Sequence, residues 1–300
     1  MKKSGTIFGY SAWGISNLFV IYIVWSSTYL AMAYMVAPVG GFPPFWSGAT
    51  RLLGGGIILL AISVARRQPL FPGWKILKSI GLSALLLWVL GNGLVLFALN
   101  RGLGSGVTAV IIGTTPIWSI IIDAVASGKR LSKRLIIAMC AGTSGMIVLN
   151  VPNFNGAIDV VALIAVIVSA MAWGAGTVFQ SRRLSSVNVA TLAGWQQIIA
   201  ALGFYTLSLL FSEQLHAVSS TAVYALVYLT IAAQVISMLA FTIAVSKLPV
   251  AVVMSYAYVN PVLALALGCF LNGEKVTVFT ILGALIITLG VVVIFWKKRM

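Results

Sequence analysis

Acidic residues, histidine and cysteine are scarce in this chain of 300 residues, which contains four acids, one histidine and two cysteines. Acid–base or nucleophilic catalysis needs such side chains in adjacent sets, and here they are too few and too scattered to form one. The same scarcity provides no cluster with the spacing of metal ligands, and no GxxxxGK[ST] phosphate loop occurs. We therefore expect a protein that is not an enzyme and that binds no metal or cofactor.

Charged residues of any kind make up 8% of the chain, whereas 61% of its residues are hydrophobic. A net charge of +15 can indicate a nucleic acid partner, but a basic binding patch needs a soluble face, which this composition does not offer. The expected partner is instead the lipid bilayer, which a helix crosses with about 20 apolar residues. The apolar runs predict an all-α transmembrane protein of ten helices, near residues 14–36, 43–65, 76–99, 104–126, 134–150, 159–181, 189–212, 219–246, 249–271 and 276–296.

The lysines and arginines indicate how these spans are oriented. Sixteen of the 19 lie at the chain ends and in every second gap between spans, and two, Arg101 and Lys275, lie in the alternate gaps. Because Lys and Arg accumulate on the cytoplasmic side of membrane proteins, both termini are predicted to face the cytoplasm from the cell (inner) membrane. The remaining basic residue, Arg51, lies inside a predicted span.

The second half of the sequence repeats features of the first at a separation of 145 residues. Pro116 is matched by Pro261, and Arg51 is matched by Gln196. Five spans per half is an odd number, so the second half enters the membrane from the opposite side and forms an inverted-topology repeat. The two five-helix repeats are placed at residues 1–150 and 151–300. Many secondary transporters have this arrangement, with the substrate site near the membrane midplane; a membrane assembly protein that transports nothing is the alternative.

Several sequence blocks are shared with a known family. They are Trp25-Ser26-Ser27, Arg51-Leu52-Leu53, Val259-Asn260-Pro261-Val262-Leu263-Ala264, Gly273-Glu274-Lys275-Val276 and the run 282–291. With these blocks the chain resembles the drug/metabolite transporter superfamily, in its EamA-type branch. Its tryptophan-rich spans look most like those of the YddG-type exporters of aromatic amino acids, methionine and toxic cations such as methyl viologen. The resemblance implies a ten-helix carrier of small organic metabolites that works by alternating access.

Aromatic and polar side chains inside the spans are the candidate substrate-binding residues, because a polar group in hydrocarbon is costly and tends to face the bundle interior. Spacings of three and four residues put several of them on single helix faces. The predicted set is Trp25, Tyr29, Arg51, Trp88, Asn92, Trp118, Trp173, Gln196, Tyr256 and Asn260. The alternative for a tryptophan is an anchor at the membrane interface, and for Arg51 a side chain that extends outward to that interface.

Aromatic walls combined with amide and hydroxyl groups suit a substrate with an apolar body and a polar head. We expect an exporter or facilitator of aromatic or other large apolar amino acids. Organic cations, which bind to aromatic ring faces, are an alternative, as is another metabolite class of the superfamily.

Pro116 and Pro261 each remove a backbone hydrogen bond and are the predicted hinges. No span has an acid at its midpoint, so the sequence predicts no ion-coupling site.

Overall fold

The computed structural model describes residues 6–7, 9–37, 39–101, 103, 105–151, 159–272 and 277–295. Apart from a hairpin of two short strands, Thr6–Ile7 and Tyr10–Ser11, the regular structure of these residues is helical, so the all-α prediction is confirmed. A bilayer provides no water for unpaired backbone groups, which favours helices for apolar runs. The helices are α1 (Ala12–Met35), α2 (Pro44–Ala65), α3 (Trp74–Ala84), α4 (Leu94–Asn100), α5 (Ser105–Ile112), α6 (Thr115–Ser127), α7 (Lys133–Asn150), α8 (Val160–Arg183), α9 (Val189–Leu210), α10 (Ser220–Tyr228), α11 (Met238–Lys247), α12 (Val250–Val253), α13 (Tyr256–Asn272) and α14 (Val278–Phe295).

The helices match the ten predicted spans to within two residues at each outer boundary. Within the described residues, seven helical segments are long and apolar enough to cross a bilayer. The other three predicted spans fall on α7, on α9 and on the pair α12–α13.

Two predicted spans are not the continuous helices that we expected. The span at 104–126 breaks at Gly113–Thr114, between α5 and α6, and the span at 249–271 breaks at Met254–Ser255, between α12 and α13. The first break directly precedes Pro116, and the Thr115 hydroxyl donates to the Ile112 carbonyl at 2.6 Å. Proline cannot donate to that carbonyl, so the threonine compensates for the lost backbone bond.

Polar residues in the gaps between spans end the apolar runs and start the helices. A side-chain oxygen at the first position accepts a hydrogen bond from a backbone N–H of the first helical turn, which would otherwise lack a partner. The residues that do so are Ser11 for α1, Ser132 for α7, Asp159 for α8, Asn188 for α9 and Ser219 for α10.

Helices at equivalent positions of the two halves pack against each other in antiparallel pairs, α2 with α9 and α7 with α14. A Cβ atom on Gly290 would lie 3.0 Å from the Gly142 nitrogen, and one on Gly145 would lie 2.8 Å from the Ile287 nitrogen. At the repeat separation of 145 residues, positions 142 and 145 of the first half correspond to positions 287 and 290 of the second. Each of the two contacts is therefore the repeat-related copy of the other. Reciprocal contacts of this kind indicate a two-fold relation, as expected for an inverted repeat.

The third span of each half contains a π-helical segment at the same place. Leu85–Gly93 joins α3 to α4, and Leu229–Ser237 joins α10 to α11, 144 residues further along the chain. A π-helical hydrogen bond joins residues five apart instead of four, and π-helical turns are often found at functional sites. The first segment carries Trp88 and Gly91, and the second leads directly into α11, which carries Phe241.

Candidate substrate site between the helices

Five aromatic rings from five different helical segments meet inside the bundle. We call them the aromatic cluster: Trp25, Trp88, Trp173, Phe241 and Tyr256. The Trp25 ring centroid lies 4.8 Å from that of Tyr256 and 5.4 Å from that of Phe241. Trp173 connects the two sides, at 6.1 Å from Trp25 and 5.7 Å from Trp88. Most of these pairs meet edge to face, the arrangement that aromatic quadrupoles favour.

The cluster contains four of the predicted substrate-binding residues and one residue, Phe241, that the prediction missed. Trp88 and Tyr256 are buried, at 4% and 8% exposure, whereas Trp25 and Trp173 keep part of their surface accessible in the middle of their helices. The indole N–H groups of Trp88 and Trp173 are buried without a hydrogen-bond partner. Buried donors are normally satisfied, so the cluster offers two donors as well as ring faces to a ligand.

Two glycines allow the cluster helices to approach closely. A Cβ on Gly91 would come within 2.9 Å of the Trp173 ring, and one on Gly174 would come within 2.9 Å of the Ser119 nitrogen. The hydroxyl of Ser169 also donates to the Gly91 carbonyl. Helix α8 therefore packs directly against the first π-helical segment on one side and against α6 on the other.

The remaining predicted residues lie outside the ring contacts of the cluster. Trp118, on α6, lies beside Gly174 of α8, and its indole N–H donates to the Thr114 hydroxyl at 3.2 Å. The Asn92 amide donates to the Leu87 carbonyl at 3.3 Å, within the π-helical segment. Asn260 is buried, and its side-chain oxygen has no partner. The side chain of Tyr29 lies outside the described part of the structure.

Gln196 belongs to a separate polar layer. Its amide nitrogen donates to the Ser83 hydroxyl at 2.7 Å and to the Gln180 oxygen at 2.9 Å, and all three side chains are buried. Gln180 follows Trp173 by seven residues, two helical turns or about 10 Å along α8. The layer thus links α3, α8 and α9 on the predicted cytoplasmic side of the aromatic cluster.

Arg51 is buried, at 5% exposure, so it does not extend outward to the interface. Its guanidinium donates to the Met32 sulfur at 3.7 Å, and its Nε has no partner.

The two predicted hinge prolines lie near the two helix breaks. Pro116 begins α6 after the first helix break, while Pro261 lies inside α13, six residues after the second break.

Ion pairs hold α8 at both of its ends. At the C-terminal end, Arg182 bonds to the Asp123 carboxylate at 2.8 Å and to the main-chain oxygens of Asp123 and Ala126. At the N-terminal end, Arg101 bonds to Asp159 at 2.8 Å. The Ala162 N–H, followed by the Arg101 guanidinium, lowers the pKa of Asp159 below its ordinary value. The helix that carries Trp173 is therefore attached to its neighbours on both sides of the bundle.

A third carboxylate has a structural role. Glu213, in the loop between α9 and α10, accepts hydrogen bonds from the backbone N–H groups of Phe45 at 2.9 Å and Trp46 at 2.7 Å. These N–H groups belong to the first turn of α2, where a negative charge also interacts favourably with the helix dipole. The acid therefore stabilises the start of the helix that carries Arg51.

Comparison with known protein sequences finds membrane transporters as relatives of this chain. The profile of the EamA-like transporter family matches residues 12–151 and again residues 160–296. The "Uncharacterized inner membrane transporter YedA" of Escherichia coli (strain K12) is 31% identical over 284 residues, which cover 94% of this chain and 90% of that protein. The "Probable amino-acid metabolite efflux pump" of the same strain is 22% identical over 215 residues, which cover 67% of this chain and 72% of the pump.

A solved crystal structure shares the fold, with a TM-score of 0.80 at 23% sequence identity, over 93% of this chain and 95% of that chain. The family match covers both halves of the chain, as the internal repeat requires. The resemblance to the EamA-type branch is thus confirmed, and it indicates transport rather than catalysis. The chain belongs to the EamA-like transporter family of membrane proteins.

Proposed function

We propose that this transporter exports aromatic or other large apolar amino acids by alternating access. The observation that carries the proposal is the aromatic cluster, in which ring faces and two unpaired indole N–H groups meet between helices of both halves. Apolar walls with a few placed polar groups are the usual lining of small-molecule sites. The relative named as a probable amino-acid metabolite efflux pump supports the same substrate class.

Movement of the helices is part of the proposal, because the rings of the cluster contact one another. A substrate has to separate Trp25 from Trp173, which lie in different halves of the chain. Rocking of the two halves, with bending at Pro116 and Pro261, would open this contact to one side at a time. The break before Pro116 supports bending at that point.

Organic cations are the second candidate substrate. Aromatic faces attract cations through their quadrupoles, most strongly at tryptophan, and three of the five rings are tryptophans. A cation without a carboxylate would bind to the rings alone, so a substrate panel separates the two candidates.

Purified protein in liposomes tests the proposal with labelled phenylalanine, tryptophan and methyl viologen. We expect uptake of the amino acids above the level of empty liposomes, and a loss of about tenfold in Trp173→Ala, because ring contacts and burial are removed. Trp173→Phe should retain most of the activity. Trp74→Ala removes a ring that is 71% exposed at the start of α3 and is the matched control. Absence of amino acid uptake, or equal losses in Trp173→Ala and Trp74→Ala, would contradict the proposal.

We also propose that the chain lies in the cell inner membrane with both termini in the cytoplasm, as two repeats at residues 1–150 and 151–300. The two family matches support the division. His216 and Gln68 are both exposed, in loops predicted on opposite sides. In cells, His216→Cys should react with an impermeant thiol reagent and Gln68→Cys should not; the reverse pattern would overturn the orientation.

A further inference from the structure

A buried charge without a counter-charge lies on the predicted outer side of the aromatic cluster. Arg51 is 5% exposed, and its guanidinium contacts a thioether sulfur. Among the described residues, the ion pairs of the protein use Arg101 and Arg182, so Arg51 has no carboxylate partner there. A buried cation is costly unless it is paired. An anionic group of a ligand would supply the missing partner.

Two buried side chains whose acceptors lack donors pack against α2 at Gly55, one helical turn along from Arg51. The side-chain oxygens of Gln197 and Gln234 have no hydrogen-bond partner. The Gln197 amide nitrogen donates to the Gln234 main-chain oxygen at 2.6 Å. Rotating the Gln197 amide by 180° would place its side-chain oxygen against the Gln234 main-chain oxygen. The unpaired atom of Gln197 is therefore its side-chain oxygen.

Gly55 connects the acceptors to the arginine. A Cβ on Gly55 would lie 2.4 Å from the Gln197 side-chain oxygen and 2.5 Å from Gln234 Cβ. Gly55 follows Arg51 by four residues, which places both on the same face of α2. Because Gly55 has no side chain, Gln197 and Gln234 pack directly against the face of α2 that carries Arg51.

This polar group lies at one level of the bundle, about two helical turns from the aromatic cluster. Met32, the contact of Arg51, follows Trp25 by seven residues on α1, and Gln234 precedes Phe241 by seven residues along its span. Two turns correspond to about 10 Å, and both separations run towards the predicted outer side. An elongated molecule with a charged head and an aromatic body can reach both levels.

We infer that Arg51, Gln197 and Gln234 form a head-group subsite for the zwitterion of an α-amino acid. The guanidinium of Arg51 binds the α-carboxylate, and the two glutamine oxygens accept hydrogen bonds from the α-ammonium group. The aromatic cluster holds the side chain of the same substrate. The inference rests on the proposed amino acid substrate, and it assigns the part of the substrate that all amino acids share.

A series of three ligands tests the subsite on the purified protein by titration calorimetry. Phenylalanine carries both charges, phenethylamine lacks the carboxylate, and 3-phenylpropionate lacks the ammonium group. Because charge-assisted hydrogen bonds are strong, we expect phenylalanine to bind about tenfold or more tightly than either analogue. Equal binding of all three to the wild type would overturn the inference without any variant.

Variants assign the two charges to residues. Arg51→Met should weaken phenylalanine and 3-phenylpropionate by about tenfold and leave phenethylamine unchanged. Gln197→Leu should weaken phenylalanine and phenethylamine and leave 3-phenylpropionate unchanged. Thr206→Val, on an exposed part of α9, is the matched control and should change none of them. Arg51→Lys keeps the charge and replaces Arg51→Met if that variant does not fold.

The outcomes separate the subsite from the proposed function. If the wild type transports phenylalanine but a variant weakens all three ligands equally, Arg51 or Gln197 is structural, and only the subsite is overturned. If the wild type neither binds nor transports phenylalanine, the amino acid substrate fails and the subsite fails with it.

Discussion

At the residue scale, Gly91 determines where the Trp173 ring lies. The space that a Cβ would need at Gly91 is taken by the ring, at 2.9 Å from Cε3, and by the Leu86 carbonyl oxygen, at 3.0 Å. Real Cβ atoms do not come this close to other heavy atoms, so an alanine has to displace the ring. Protein interiors are close-packed, and the shift of Trp173 would reach Trp25 and Trp88.

We predict that Gly91→Ala lowers transport of an aromatic substrate by about tenfold, because a site that is misplaced by a fraction of an ångström loses much of its activity. The measurement is the initial uptake rate in liposomes, normalised to folded protein. Gly81→Ala is the matched control on the same span, since its Cβ would meet only the Ile199 methyl at 3.9 Å. Alanine there should raise stability slightly through its helix propensity. Equal uptake by the two variants would show that the ring position does not matter.

Part of the aromatic cluster could be predicted from the sequence and part could not. Trp25, Trp88, Trp173 and Tyr256 combine aromatic and polar character inside apolar spans, and the structure brings them together. Phe241 also belongs to the cluster, but its side chain has no polar atom. The sequence therefore does not distinguish it from a phenylalanine that only fills apolar space. A helix turns by about 100° per residue, so periodicity alone could not decide which of two adjacent glutamines, at 196 and 197, faces α2.

At the scale of elements, α8 is the helix whose ends carry the two ion pairs. Arg182 interacts with the C-terminal end of α6 through the Asp123 carboxylate and through two main-chain oxygens, where a positive charge also interacts favourably with the helix dipole. In the proposed alternating-access cycle, opening the bundle on that side would separate these groups. Exposed ion pairs contribute about 1 kcal/mol or less, which suits a contact that forms and breaks in each cycle.

We predict that Asp123→Asn favours opening at the predicted cytoplasmic end. Thr177 is buried on α8, one turn beyond Trp173, and reports on this opening when replaced by cysteine. In a background with Cys140→Ser and Cys269→Ser, labelling of Thr177→Cys should accelerate up to about fivefold, the equivalent of one exposed ion pair.

The same experiment has a control at the other end of α8. Asp159→Asn breaks the pair with Arg101 and should not accelerate labelling, whereas Asp123→Arg combined with Arg182→Asp should restore the original rate. If Asp159→Asn accelerates labelling as much as Asp123→Asn, the two ends do not open separately.

The π-helical segments show why some elements could not be predicted. Leu85–Gly93 and Leu229–Ser237 contain apolar residues that an α-helix would accept equally well. The wider turns are accommodated by the packing of neighbouring helices, as where Gly91 meets Trp173. Packing of this kind joins residues far apart in the chain and has no local periodicity. The break at Met254–Ser255 likewise lies before the proline that marks the span in the sequence.

At the scale of the whole molecule, the positions of the acids limit how transport can be driven. Asp123 and Asp159 lie at helix ends in ion pairs, and Glu213 binds the first turn of α2. His216 lies in an exposed loop, and Glu274 is outside the described residues. Proton-coupled carriers generally use an ionisable group within the membrane, and the described spans have no carboxylate or histidine at mid-depth. A facilitator or an exchanger that follows the substrate gradient fits this distribution.

We predict that net flux in liposomes follows the substrate gradient and is unchanged by an imposed pH or sodium gradient. The flux should also be constant between about pH 5.5 and 7.5. The pKa of the Asp159 carboxyl is lowered in the folded protein. The contribution of Asp159 to folding stability is therefore fully present above the ordinary aspartate pKa of about 3.9, and it is lost only as the pH falls below that value. Accumulation of phenylalanine against its own gradient, driven by protons alone, would contradict the prediction. Loss of that accumulation in Asp123→Asn would then identify the coupling residue.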